Sequence, residues 1–239
     1  MDETRRRINL AEEMVWEYRR ELGEHMVAAA CYGSVAHGRA DAHSDLELLV
    51  LTDTAVEAVN VHTVRNEIQV ECDVLPTERL RHAAEVVTIE WGVEADCYRH
   101  HWVLWDPTEQ FATVREAALA TPRERFEDVL QQSWWAAREW ASKVVAMVET
   151  GNRPGAQFTA WQYLYLVALR VALAQQEPYV SLRTLWQDVS ARGFGVAGML
   201  DALANADTAH LPEMVRAVQQ HTGAWGAPSD PKAPFIRPK

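Results

Sequence analysis

The period of the apolar positions changes along the chain, from helix to strand and back to helix. Ile8, Ala11, Val15, Tyr18 and Leu22 recur at helical spacing, which predicts a helix over 3–22 ended by Gly23. The apolar run 27–32 predicts a short strand leading into Gly33-Ser34, and 46–52 predicts a second strand. Over 67–75 the alternation is regular: Ile68, Val70, Cys72 and Val74 face one side, and Gln69, Glu71 and Asp73 the other, until Pro76 closes the run. A helix is expected over 80–87 and a strand over 101–105, where Asp106-Pro107 breaks the chain.

Beyond this point the period is helical. Thr121-Pro122-Arg123-Glu124 predicts a helix start, with Thr121 as N-cap, proline at the first helical position and Glu124 for a capping box. That helix should run to Val148, with Gly151 and Pro154 stopping it. Further helices are expected over 157–176, 181–192, 196–205 and 211–221. The last seventeen residues hold four prolines and predict an extended arm. The expected architecture is a mixed α/β half over 1–120 followed by an all-helical half over 121–239, with no internal repeat.

Composition narrows the class. An apolar content of 48% in 239 residues indicates a globular chain with a sizeable core. No uncharged apolar run reaches membrane-spanning length, and the charged N-terminus MDETRRRINLAEEM lacks a secretory h-region. Cys31, Cys72 and Cys97 have no paired spacing, which argues against disulfides or a zinc site and for the cytoplasm. The net charge of −11 makes nucleic acid a poor partner and suits a cationic small substrate. Most of the ten tryptophans are expected in a core or an interface.

The chemistry concentrates in YGSVAHGRADAHSDLELLV, residues 32–50. Gly33 allows close backbone approach to a phosphate, and Ser34 offers it a hydroxyl and an N–H. Eleven residues after Ser34, Asp45 and Glu47 stand two apart in the apolar strand run, so both face one side. If the 67–75 strand lies alongside, Glu71 joins them. Three crowded carboxylates repel one another unless a cation such as Mg²⁺ relieves them. The plainer reading of Gln69, Glu71 and Asp73 is a solvated sheet face.

These residues resemble the kanamycin nucleotidyltransferase family, the aminoglycoside 4′-O-nucleotidyltransferases. The resemblance rests on YGS…SDLELL, QVECDV, Trp91…Trp105-Asp106 and Glu139-Trp140-Ala141-Ser142-Lys143. It implies a polymerase-β-like α+β domain with a mixed sheet, then an all-α helical bundle for substrate binding and dimerisation. It implies transfer of AMP from ATP, with Mg²⁺, to an aminoglycoside hydroxyl, conferring antibiotic resistance, in a homodimer whose subunits share active sites. Asp45, Glu47 and Glu71 match the family's acidic cluster. Glu139 falls on its general base, and Lys143 on the lysine one turn later. Glu90 falls near an acidic position facing the sugar, so Glu71, Glu90 and Glu139 are the candidates for contacting substrate. Where the family carries an arginine three residues after the serine, this chain has His37. Arg39 is the replacement for that charge, and Ser44 a further candidate for phosphate. The helix around Trp134-Trp135-Ala136 lacks an acidic residue that the family has one turn before its base.

Read without the resemblance, Glu139 and Lys143 are an i, i+4 pair on one helix face, like many surface pairs. Two other functions remain open: nucleotidyl transfer to another small-molecule or protein hydroxyl, and a catalytically silent nucleotide-binding module. His100 and His101 find no third metal ligand at suitable spacing and read as strand-end residues, His43 as a loop residue, and Cys31 and Cys72 as packing.

Overall fold

The computed structural model of the chain describes residues 2–229, and the contacts within it divide the chain into two compact units. The first comprises 1–86 and 94–121, and the second 87–93 and 122–239. The predicted arm over 223–239 lies largely outside the described residues.

The elements of the first unit are α1 (Glu3–Leu22), β1 (Met26–Cys31), the single-turn α2 (Gly33–Ala36), β2 (Leu46–Thr52), β3 (Val59–Arg65), β4 (Ile68–Pro76) and α3 (Thr77–Ala84). After a turn, α4 (Trp91–Glu94), that belongs mostly to the second unit, α5 (Asp96–Arg99) leads to β5 (Trp102–Trp105) and α6 (Gln110–Leu119) of the first. The five strands form one mixed sheet in the order β3-β4-β2-β1-β5. β2 and β4 run parallel, and every other pairing is antiparallel.

The two sheet faces are filled differently. On one, Ile8, Ala11 and Val15 of α1 pack on Leu46, Leu48 and Val50 of β2 and on Val70 and Cys72 of β4. On the other, Leu80 of α3 and Phe111 and Val114 of α6 cover Leu49 and Leu51, with Leu75 beside them. Along this second face the strands start acidic and become apolar: Glu47 precedes Leu49 and Leu51, and Glu71 and Asp73 precede Leu75. The helices therefore cover the later residues, and the acidic positions lie at the strand starts.

Several local expectations are corrected. Glu67 does not open a strand. Asn66 and Glu67 both take positive φ (51° and 65°) and turn a two-residue hairpin between β3 and β4, with Arg65 paired to Ile68. β3 itself escaped the periodicity because it is an edge strand with hardly any burial on either side. The helix expected over 80–87 starts earlier, at Thr77. Thr121 does not cap the long helix: its hydroxyl turns back to donate to the Ala118 carbonyl, and Pro122 is the N-cap. The unforeseen α6 is capped by Asp106, which accepts from the Gln110 and Phe111 N–H groups.

In the second unit the described residues include α7 (Arg123–Glu149), α8 (Arg153–Gln175), α9 (Leu185–Ala191), α10 (Val196–Ala204) and α11 (Leu211–Thr222). α8 is buried over most of its length and centres the core, packing against Val144, Val189, Met199 and Val215. Buried Arg170 donates to Leu130 O, Ser133 Oγ and Trp225 O, tying α8 to α7 and to the residues after α11. Trp91 and Trp134 are buried in the cores and Trp105, Trp140, Trp186 and Trp225 pack against them, whereas Trp16, Trp102 and Trp161 are exposed. Several stack on cations, with Arg19 lying against both Trp16 and Trp105. Among the described residues no helix is long and apolar enough to cross a membrane.

Candidate active site

The end of β1 and the start of β2 are joined through a tight turn. The Tyr32 N–H donates to Glu47 O at 3.2 Å, and the Gly33–Ala36 turn is closed by His37 N–H to Gly33 O at 3.3 Å. Gly33 takes φ +61°, and a Cβ there would stand 1.7 Å from Glu47 Oε2. The positive φ favours glycine, and any other residue here would push the Glu47 carboxylate aside. The carboxylate of Glu47 thus lies directly against the turn, where the Ser34 N–H donates to it. Ser34 Oγ is buried with no hydrogen-bond partner among the described residues.

Register brings Glu71 to the same place. β2 and β4 pair with Glu47 opposite Glu71, and parallel neighbours point to one side. Asp45 immediately precedes β2. Burial, then the charges of Asp45, Glu71 and Asp96, push the Glu47 carboxyl up to about 7 from 4.5. Asn60 of β3 braces the acidic row, its Nδ2 donating to Asp73 Oδ1 at 2.7 Å and to Glu71 Oε1 at 3.3 Å. A divalent ion of the Mg²⁺ type would relieve the repulsion among these hard oxygen donors, but among the described residues the oxygens of Asp45, Glu47 and Glu71 are not gathered within 4.8 Å of one another, so binding would have to draw them together.

The other candidates are placed as follows. Ser44 Oγ accepts from Asp41 N–H at 3.0 Å, and Ser44 O accepts from Nε of the buried Arg7 at 2.9 Å and from its Nη2. The Arg39 N–H donates to Ser34 O, and its side chain is exposed. In the second unit, Lys143 Nζ and Glu139 Oε1 form an ion pair at 2.7 Å, and Lys143 lies over the Trp140 ring. Glu90 Oε2 accepts from Tyr165 OH at 2.8 Å.

Sequence reading missed Asp96, Asn60 and Arg7. Asp96 is 5% exposed and accepts from both His37 and His100. Its only sequence signal was the i, i+4 spacing to His100. Arg7 announces itself as a cation among the buried positions of α1, with Thr4, Ile8, Leu10 and Ala11.

Neither a protein-family model nor a curated protein matches the chain. Among solved structures, a nucleotidyltransferase-like protein from Exiguobacterium sibiricum resembles it with a TM-score of 0.47 and 13% identity, over 90% of this chain and 78% of that one. At that level no property passes from that protein to this chain.

Proposed function

We propose that the chain is a Mg²⁺-dependent nucleotidyltransferase that moves AMP from ATP to a hydroxyl of an aminoglycoside. The observation that supports the reading is the register that sets Glu47 opposite Glu71, with the charges of Asp45 and Glu71 both acting on the buried Glu47 carboxyl, which lies against Gly33. The resemblance in the sequence and the net charge of −11 support a polycationic acceptor.

Asp45, Glu47 and Glu71 would hold Mg²⁺, which when bound neutralises triphosphate charge and polarises the α-phosphorus. Gly33 admits the phosphates, Ser34 offers its unpartnered hydroxyl, and Arg39 adds positive charge. Ser44, its hydroxyl held by Asp41, shapes the approach to Asp45. Glu139 takes the proton of the acceptor hydroxyl as its oxygen attacks the α-phosphorus in line. The new oxygen–phosphorus bond forms as the bond to the β-phosphate breaks, and Lys143 balances charge on the departing pyrophosphate. Glu71, Glu90 and Glu139 pair with the amino groups of the substrate. The resemblance further supports a homodimer in which the subunits share active sites.

Mass spectrometry of kanamycin or tobramycin incubated with the protein, ATP and Mg²⁺ tests this. The expected product carries one added AMP, and unmodified drug after prolonged incubation contradicts the proposal.

A further inference from the structure

We infer that His37, Asp96 and His100 form a second cation site, for a divalent transition ion of the zinc class, distinct from the Asp45–Glu47–Glu71 cluster. His37 follows the Gly33–Ala36 turn, while Asp96 and His100 are the first residue and the C-cap of α5. His37 Nε2 stands 2.9 Å from Asp96 Oδ2 and 3.1 Å from Oδ1, and His100 Nδ1 stands 2.7 Å from Oδ1. The two imidazole rings lie 4.7 Å apart, and one donor atom from each of the three residues falls within 4.8 Å of the others.

Donor type selects the ion. Two imidazoles and one carboxylate suit zinc and its first-row neighbours, whereas Mg²⁺ and Ca²⁺ prefer oxygen alone. Size agrees: with bonds of about 2.0–2.1 Å, tetrahedral zinc keeps its donors roughly 3.4 Å apart. The contacts of 2.7 and 2.9 Å would open by roughly half to two-thirds of an ångström, and the widest donor pair, within 4.8 Å, would close by at most about 1.4 Å. Exposure is graded, with Asp96 at 7% by side chain, His37 at 16% and His100 at 51%. Three protein ligands leave a coordination position free, and the half-open His100 side is where solvent or a ligand reaches it. Asp96 also adds to the negative charge that holds up the Glu47 carboxyl. A dipositive ion here relieves that excess and fixes His37 three residues from Ser34. This inference does not depend on the nucleotide chemistry.

The test is calorimetric titration of the chelator-treated full chain with Zn²⁺ in excess Mg²⁺, repeated with Co²⁺ while its visible d–d bands are followed. One equivalent is expected to bind. Loss of an outer partner to a metal ligand costs 10–100-fold in affinity, so loss of a direct ligand in His37→Ala or His100→Ala should cost at least roughly tenfold. Glu47→Gln should retain the binding. His100 is half exposed, so His100→Ala keeps the fold, with circular dichroism as the check. Absence of Zn²⁺ binding, binding of wild-type strength in both histidine variants, or binding abolished by Glu47→Gln alone overturns the site. Each of these would leave Asp96 as a carboxylate merely hydrogen-bonded by two imidazoles.

Discussion

Glu47 sits where burial and three neighbouring carboxylates act in the same direction, against the charged form of its side chain. The consequence for stability has a definite sign. In the unfolded chain the group titrates near its ordinary value of 4.5, and in the folded chain at about 7. Between those values the folded state keeps a proton that the unfolded state has lost. Stability therefore falls as pH rises through that window and stays lowered above it. In the metal-free protein, Glu47→Gln is predicted to be more stable than wild type at about pH 8, by at most about 3 kcal/mol, with the gain gone by about pH 4. Thermal melts of both proteins across pH measure this. Added Mg²⁺ should raise the wild-type melting temperature at the higher pH and leave that of the variant nearly unchanged. A wild-type excess in stability at high pH without metal contradicts the assignment.

At the scale of elements, the site depends on β2 and β4 being parallel neighbours in one register. The alternation of Ile68, Val70, Cys72 and Val74 with Gln69, Glu71 and Asp73 was legible in the sequence because each strand buries one face under α1. The pairing of Glu47 with Glu71 was legible only conditionally, since periodicity says which face a residue takes and not which strand lies beside it. β3 was not legible, because an exposed edge strand leaves no hydrophobic period. Asp96 was not legible as a partner of His37 because 59 residues separate them, and only the fold closes that distance. Arg7 belongs here too: it fastens α1 to the loop that delivers Asp45 through two donors on Ser44 O, while its Nη1 pairs with Glu3 within α1. Arg7→Ala leaves a buried carbonyl without its donors and should cost about 2–4 kcal/mol, read by chemical denaturation. Turnover should fall as well, because Asp45 is then no longer held. A variant of unchanged stability and turnover would show that this fastening does not matter.

At the scale of the molecule, the two units carry different parts of the proposed chemistry: carboxylates and the phosphate turn in the first, and Glu139 with Lys143 in the second. The proposed homodimer makes this separable. Asp45→Asn and Glu139→Gln should each be inactive alone, and mixing them should restore part of the activity if one subunit's Glu139 serves its partner's carboxylates. Mixtures that stay inactive contradict shared sites. The most direct test of the metal–nucleotide centre is calorimetric titration of wild type and Asp45→Asn with a non-hydrolysable ATP analogue, with and without Mg²⁺. The predicted result is wild-type binding that strengthens with Mg²⁺, and an Asp45→Asn protein in which Mg²⁺ brings no gain. Equal dependence on Mg²⁺ in the two proteins, or no nucleotide binding by wild type, contradicts it.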